Sequence, residues 1–140
     1  MNIERETCGV INFLGYEVTN ICFKKNRNYS GESVHIDTDL TAAVTTDQER
    51  ESMDVELTLK LFSDAEEKGY PFSLDVSVLG KFKLENKQYA DIKLFQSNAI
   101  AILFPYVRAL VTTYTANANV APLILPTINT NQFVEKNSEY

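Results

Sequence analysis

From Ser97 to Phe133 the chain reads SNAIAILFPYVRALVTTYTANANVAPLILPTINTNQF. Apolar side chains recur at Ile100, Leu103, Phe104, Val107, Leu110, Val111 and Tyr114, the spacing of a helix with one buried stripe. Ala101, Arg108, Thr112 and Thr115 fall on the opposite side. Pro105 lies inside the pattern, where it removes a backbone donor and biases Phe104 away from helical angles. The predicted helix therefore begins near Pro105 or is kinked there. It stops around Asn117 to Asn119, and Ala121 to Pro126 follow as an extended apolar arm held by Pro122 and Pro126. A one-faced helix with an apolar arm behind it needs a broad, flat apolar partner, and the upstream chain offers one.

Val10 to Phe23 is rich in β-branched and aromatic residues and reads as a strand. Its alternation changes parity: Ile11 and Phe13 share one side, Tyr16 and Val18 the other, and Ile21 and Phe23 return to the first. Bulges near Gly15 and near Asn20 account for this; a strand covered on both faces is the alternative. Lys24 to Ser33 is a loop too long for a tight hairpin. Val34, Ile36, Thr38 and Leu40 then alternate with His35, Asp37, Asp39 and Thr41 as a half-buried strand. Thr45 to Ser52 is a polar connector. Met53, Val55, Leu57, Leu59 and Leu61 give the clearest alternation in the chain. After the charged turn Ser63 to Gly69, Phe72, Leu74, Val76, Val78, Gly80, Phe82 and Leu84 share one parity. Short polar connectors favour an antiparallel meander. The expected fold class is α+β: a single domain over residues 1–140, in which a four-stranded antiparallel meander sheet, strands in sequence order, packs against the long helix. A short C-terminal helix is expected at about Thr130 to Lys136.

Chemistry is hard to find. The sequence has no Gly-rich phosphate loop, no HExxH, no GxSxG and no EF-hand spacing, so no catalytic residue, enzyme activity or cofactor is expected. Cys8 and Cys22 are too far apart for a CxxC motif, and His35 completes no zinc set with them; two free thiols and a solvent-facing histidine are expected. Asp37 and Asp39 share a strand face but read as solvated charge rather than a metal site. Lys and Arg total 13 against 19 Asp and Glu, a net charge of -6, which argues against nucleic acid as a partner. No apolar run reaches membrane-span length, so no membrane insertion is expected. MNIERETCG lacks the features of a signal peptide, so the expected location is cytoplasmic. What the chain has in surplus is apolar side chains, more than one four-stranded layer and one helix must hide, and this points to self-association or to a groove for other apolar chains.

Ile102-Leu103-Phe104-Pro105-Tyr106 with Arg108, then Pro122-Leu123-Ile124-Leu125-Pro126, Asn129 and Phe133, resembles the export chaperone family SecB. That family has an LFPYAR segment here, followed by a proline-leucine connector and an N-F-x-x-L-F type helix. Asn20-Ile21-Cys22-Phe23 is similar to its D-I-S-F strand, and Phe72 to Leu84 lines up without gaps. The resemblance implies a cofactor-free, ATP-independent holdase in protein export. It would be a homotetramer built as a dimer of dimers, holding unfolded preproteins in hydrophobic grooves. Phe13, Tyr16, Ile21, Phe23, Tyr29, Leu123, Ile124 and Phe133 are the implied client-binding residues. Leu74, Val76, Val78, Arg108 and Thr112 are the implied oligomer interface. The translocase motor SecA docks on an acidic strand face in secretory members. Here Asp75 keeps its acid, while Asn20 and Lys24 replace acids of the family. Relatives that protect an antitoxin client are one alternative within the same class, and a carrier of small apolar ligands is the alternative from another.

Overall fold

The computed structural model describes residues 10–31, 33–47, 49, 51–85, 92–128 and 132–133. Four strands, β1 (Val10–Lys25), β2 (Thr38–Thr46), β3 (Ser52–Leu61) and β4 (Phe72–Glu85), form one antiparallel sheet. A one-turn helix, α1 (Ala65–Lys68), fills the β3–β4 connection, and α2 (Ile92–Asn117) packs across one face of the sheet.

The α+β class holds, but the strands do not lie in sequence order. β2, β3 and β4 form the expected meander, whereas β1 pairs with β4, giving the order β1-β4-β3-β2. This is a Greek-key arrangement, with one long connection between the first strand and the far edge. The connection is the loop that sequence reading judged too long for a hairpin. It is longer than expected, because β2 begins at Thr38 and extends to Thr46. Val34 and Ile36 belong to the loop, and Thr45 and Thr46 to the strand. Alternation of the Val34 to Leu40 type cannot distinguish a strand from an extended loop, here one in which Val34 packs against the core and Ile36 is half exposed.

β1 is register-shifted between Phe13 and Gly15 and again between Val18 and Asn20, at both places where the alternation changes parity. Each extra residue turns the strand by one side-chain step. Ile11, Phe13, Tyr16, Val18, Ile21 and Phe23 consequently all stand opposite the helix-facing row of β4: Leu84, Phe82, Gly80, Val78, Val76 and Leu74.

Helix α2 starts 13 residues before Pro105, which lies within it without ending it. The N–H that proline lacks would have bonded the carbonyl of Ala101, four residues back. Both Ala101 and Pro105 are exposed, so water can satisfy that carbonyl at little cost. The buried side runs Phe95, Ala99, Leu103, Val107, Val111 and Thr115, with Ile100 and Phe104 beside it. Tyr114, expected in the stripe, is partly exposed, and Thr115, expected outside it, is fully buried. The helix ends where expected, with Asn119 in a left-handed conformation (φ 61) that asparagine tolerates well. The stretch Leu94–Asn117 is long and apolar enough to cross a membrane, contrary to the sequence expectation. Here its apolar side is the cover of the sheet.

Of the expected C-terminal helix, Gln132 and Phe133 have helical backbone and the rest lies outside the described residues. Cys22 is a free thiol, and Cys8 lies outside them too.

Gly80 sets the depth of the helix on the sheet. A Cβ at this position would lie 2.5 Å from Leu103 Cδ2 and 2.8 Å from Cδ1, and Leu103 has no exposed surface into which to move. Gly80→Ala is expected to lower the stability to urea unfolding by about 1–3 kcal/mol. Because both residues occupy the same space, Gly80→Ala with Leu103→Ala should cost less than the sum of the two single changes.

Candidate functional site

An apolar cleft of about 580 Å³ opens at the end of the sheet where β1 finishes and β4 begins. Its walls are Tyr29, Val34 and Ile36 of the β1–β2 loop, Phe62, Pro71 and Phe72 around α1, and Val120, Ala121 and Leu123 of the arm after α2. Lys25, Asn26 and Arg27 complete the lining.

The floor is aromatic. Phe23 stacks on Phe72 with ring centroids 5.2 Å apart, Phe62 meets Phe72 edge-on at 5.2 Å, and Tyr70 lies 4.9 Å from Phe62. Phe62 adopts φ 56, a left-handed conformation costing a residue of this kind about 1–2 kcal/mol.

Two sets of polar contacts hold the walls. In the loop, the buried Asn26 side chain donates from Nδ2 to the carbonyls of Tyr70 (2.9 Å) and Ala65 (3.2 Å), and its Oδ1 accepts the N–H of Asn28. Its backbone N–H bonds Pro71 O at 3.0 Å. At the other end of the loop, Asp37 accepts from the Tyr70 hydroxyl at 2.9 Å and lies 3.8 Å from Lys68 Nζ. Asp37 is thus a structural partner rather than half of a carboxylate pair with Asp39. Among the described residues no group of acidic, His or Cys side chains could hold a metal ion.

In the arm, α2 grips backbone. Thr112 Oγ1 donates to Leu123 O (2.9 Å), Thr115 Oγ1 accepts the Leu123 N–H (3.0 Å), and Arg108 Nε donates to Leu125 O (3.0 Å). Leu125 is buried in the core. With Leu123 held at both its N–H and its carbonyl, its side chain faces the cleft, and Ile124, on the opposite parity, is 73% exposed.

The residues singled out for client binding therefore separate. Tyr29 and Leu123 line the cleft, whereas Phe23 is not part of the lining and supports it by stacking on Phe72. Ile21 and Phe133 are half-buried against the core. Phe13 and Tyr16 form a second aromatic cluster farther along β1, where Tyr16 stacks on Tyr106 at 4.2 Å and Phe13 lies 6.0 Å from Tyr106. Tyr16 is 42% and Val18 45% exposed, so the apolar row on β1 stays partly open between the clusters.

Leu74, Val76 and Val78 have no exposed surface within the subunit. They are core residues and cannot touch a second subunit directly. Arg108 Nε and the Thr112 hydroxyl bond the arm, and both residues keep part of their surface exposed. Asp75, Asn20 and Lys24 share the sheet face away from α2, where the register partners of Asp75 are Cys22 on β1 and Lys60 on β3. Sequence reading missed Ile36, Phe62, Val120 and above all Thr115. A threonine inside an apolar helix, eight residues before a proline-flanked arm, is a weak signal that the arm alone makes sense of.

Residues 18–139 match the family model described as Preprotein translocase subunit SecB. The chain belongs to the SecB family. An uncharacterised protein of Methanocaldococcus jannaschii is 50% identical over 60 residues, 42% of this chain and 39% of that protein, so the match spans well under half the length of that relative. Among solved structures, the Mycobacterium tuberculosis SecB-like chaperone Rv1957, in complex with a ChAD peptide from the Rv1956 HigA1 antitoxin, superposes with a TM-score of 0.65 at 15% identity. That match covers 84% of this chain and 90% of the other. A Streptococcus agalactiae protein of unknown function gives a TM-score of 0.51 at 11% identity, covering 85% and 98%. At these identities the likeness establishes a shared fold, and the SecB-family sheet and helix are common to it.

Thr115→Val keeps the shape of the side chain and removes the hydroxyl that accepts the Leu123 N–H and donates to the carbonyls of Val111 and Thr112 within the helix. Leaving the Leu123 N–H unpaired beneath the arm is expected to cost about 1–3 kcal/mol, and amide hydrogen exchange across Val120 to Leu125 should accelerate more than exchange in β3. The Tyr70 phenol is held above its ordinary pKa of 10.0, first by the hydrogen bond to Asp37, then by burial and by the charge of Asp37. Its contribution to stability is present below the ordinary tyrosine pKa and is lost as pH rises through the raised value. Ultraviolet titration should show one late-ionising tyrosine in the native protein, and Asp37→Asn should return it toward the ordinary range.

Proposed function

We propose that this chain is an ATP-independent holdase that binds unfolded polypeptide along the cleft and the exposed aromatic row of β1. The observation that carries the reading is the cleft itself. Its aromatic floor is fixed by core packing and its walls by backbone hydrogen bonds, yet it stays open to solvent and presents mostly apolar surface. An exposed apolar trough of this kind suits extended segments of non-native chain. Binding at several weak points along one client gives useful net affinity while each contact remains reversible. Holding the unfolded state in this way needs no chemical step.

Family membership supports clients of the preprotein kind and a role in export. The Mycobacterium tuberculosis structure, which holds an antitoxin peptide, supports an antitoxin client as the second reading. Charge on the outer sheet face favours the second: Asp75 sits with Lys24, Asn20 and Lys60, which dilutes an acidic surface for SecA. Assembly into a homotetramer accords with the free edge of β1, where Leu14 is 65% exposed. A cleft of about 580 Å³ is also within the range that holds a small apolar molecule, which keeps the carrier as the competing class.

Light scattering of a denatured reporter protein tests the proposal. The chain should suppress aggregation without nucleotide. Tyr29→Asp with Ile36→Asp places two charges on the cleft wall and should weaken holding by about tenfold or more, with far-ultraviolet circular dichroism unchanged. Unaltered holding by this variant rejects the cleft as the site. A monomer in native mass spectrometry that retains a lipid-like molecule and does not suppress aggregation identifies the carrier instead.

A further inference from the structure

We propose that the cleft selects apolar segments flanked by acidic side chains. The inference rests on the holding function above and specifies its substrate class. The two charged residues lining the cleft, Lys25 and Arg27, are both cations, and no carboxylate is part of the lining. This is unexpected in a chain with a net charge of -6. The nearby acids Asp64, Glu66 and Glu67 line an adjoining polar depression that shares Lys25 and Asn26 with the cleft, and none of them is part of the cleft lining.

The two cations are also held in position. They flank Asn26, whose buried side chain makes three hydrogen bonds to backbone and whose own N–H makes a fourth. The backbone that carries them is therefore fixed before any client arrives, so little ordering entropy is lost there on binding. Arg27 offers the planar fork that pairs with a carboxylate through two bonds. Beside apolar walls the effective dielectric is lower than in water, which strengthens contacts made at the rim. The overall negative charge acts from farther away. At physiological salt it is screened beyond about 8 Å, so the cations in the cleft lining act on a client at the shortest range, with Arg27 outside the depression that holds the acids.

The test uses three fluorescent peptides that share one Leu/Phe-rich core, flanked on both sides by Glu, by Ser or by Lys. Fluorescence anisotropy reports their affinities for the full chain at low and high ionic strength. The Glu-flanked peptide should bind about three- to tenfold more tightly than the Ser-flanked one at low salt, and the Lys-flanked peptide more weakly than either. High salt should compress the series. Lys25→Gln with Arg27→Gln should level it, and Lys25→Glu with Arg27→Glu should invert it; both positions are exposed, so the fold is expected to survive. Equal binding of the three peptides, or tightest binding of the Lys-flanked one, overturns the proposed preference and leaves the holding function standing. A Glu preference that persists in the Gln variant also overturns it, because the selecting charge then lies elsewhere. Failure of all three peptides to bind removes the holding function and this inference with it.

Discussion

Leu103 rests over Gly80 at a distance no side chain would allow, and the rest of the molecule follows from that close approach. It fixes how deeply α2 settles onto β4. The depth in turn places Val107, Val111 and Thr115 against the sheet. Thr115 and Thr112 then stand at the height where the returning chain can be gripped at Leu123. The wall of the cleft is thus positioned by a contact made several helical turns away. Apolar burial supplies the energy here, while the glycine supplies the position.

A second constraint acts along β1. Sixteen residues of regular alternation would carry the apolar side chains of its middle segment to the wrong face. Two inserted residues keep all six on the helix side, but α2 is too narrow to cover the whole row. What it leaves uncovered, Tyr16 and Val18, adds open apolar surface to that of the cleft, so this surface results from a sheet wider than its helical cover. The aromatic pairs at each end, Tyr16 with Tyr106 and Phe23 with Phe72, hold the row rigid where it would otherwise be loosest.

Much of this was legible in the sequence, for identifiable reasons. Period-two alternation located β3 and β4 because one face of each is fully buried, and the breaks in alternation located both bulges of β1. Strand order was not legible. Pairing of β1 with β4 rather than β2 depends on where a twelve-residue loop travels, and loop composition carries no direction. Of the two readings at Pro105, a helix start or a kink, the start is wrong: the carbonyl that loses its partner belongs to Ala101, an exposed residue, so the helix continues through the proline. At the site, the family resemblance pointed to Tyr29, Phe23 and Leu123. The same resemblance placed Leu74, Val76 and Val78 at an interface, although an apolar row in a central strand is core before it is anything else. Thr115 was invisible because its partner is a backbone amide, which every residue possesses.

That last feature has an effect on how the molecule can change. Arg108, Thr112 and Thr115 hold main-chain atoms of the arm, while the side chains of Leu125 and, in part, Leu123 pack against the core. The side chain at Ile124 is accordingly free of any duty in fastening the segment that bears it. The arm works like a mounting rail on which the facing can be exchanged, so the chemistry of its outward side can be rewritten without loosening the scaffold beneath it.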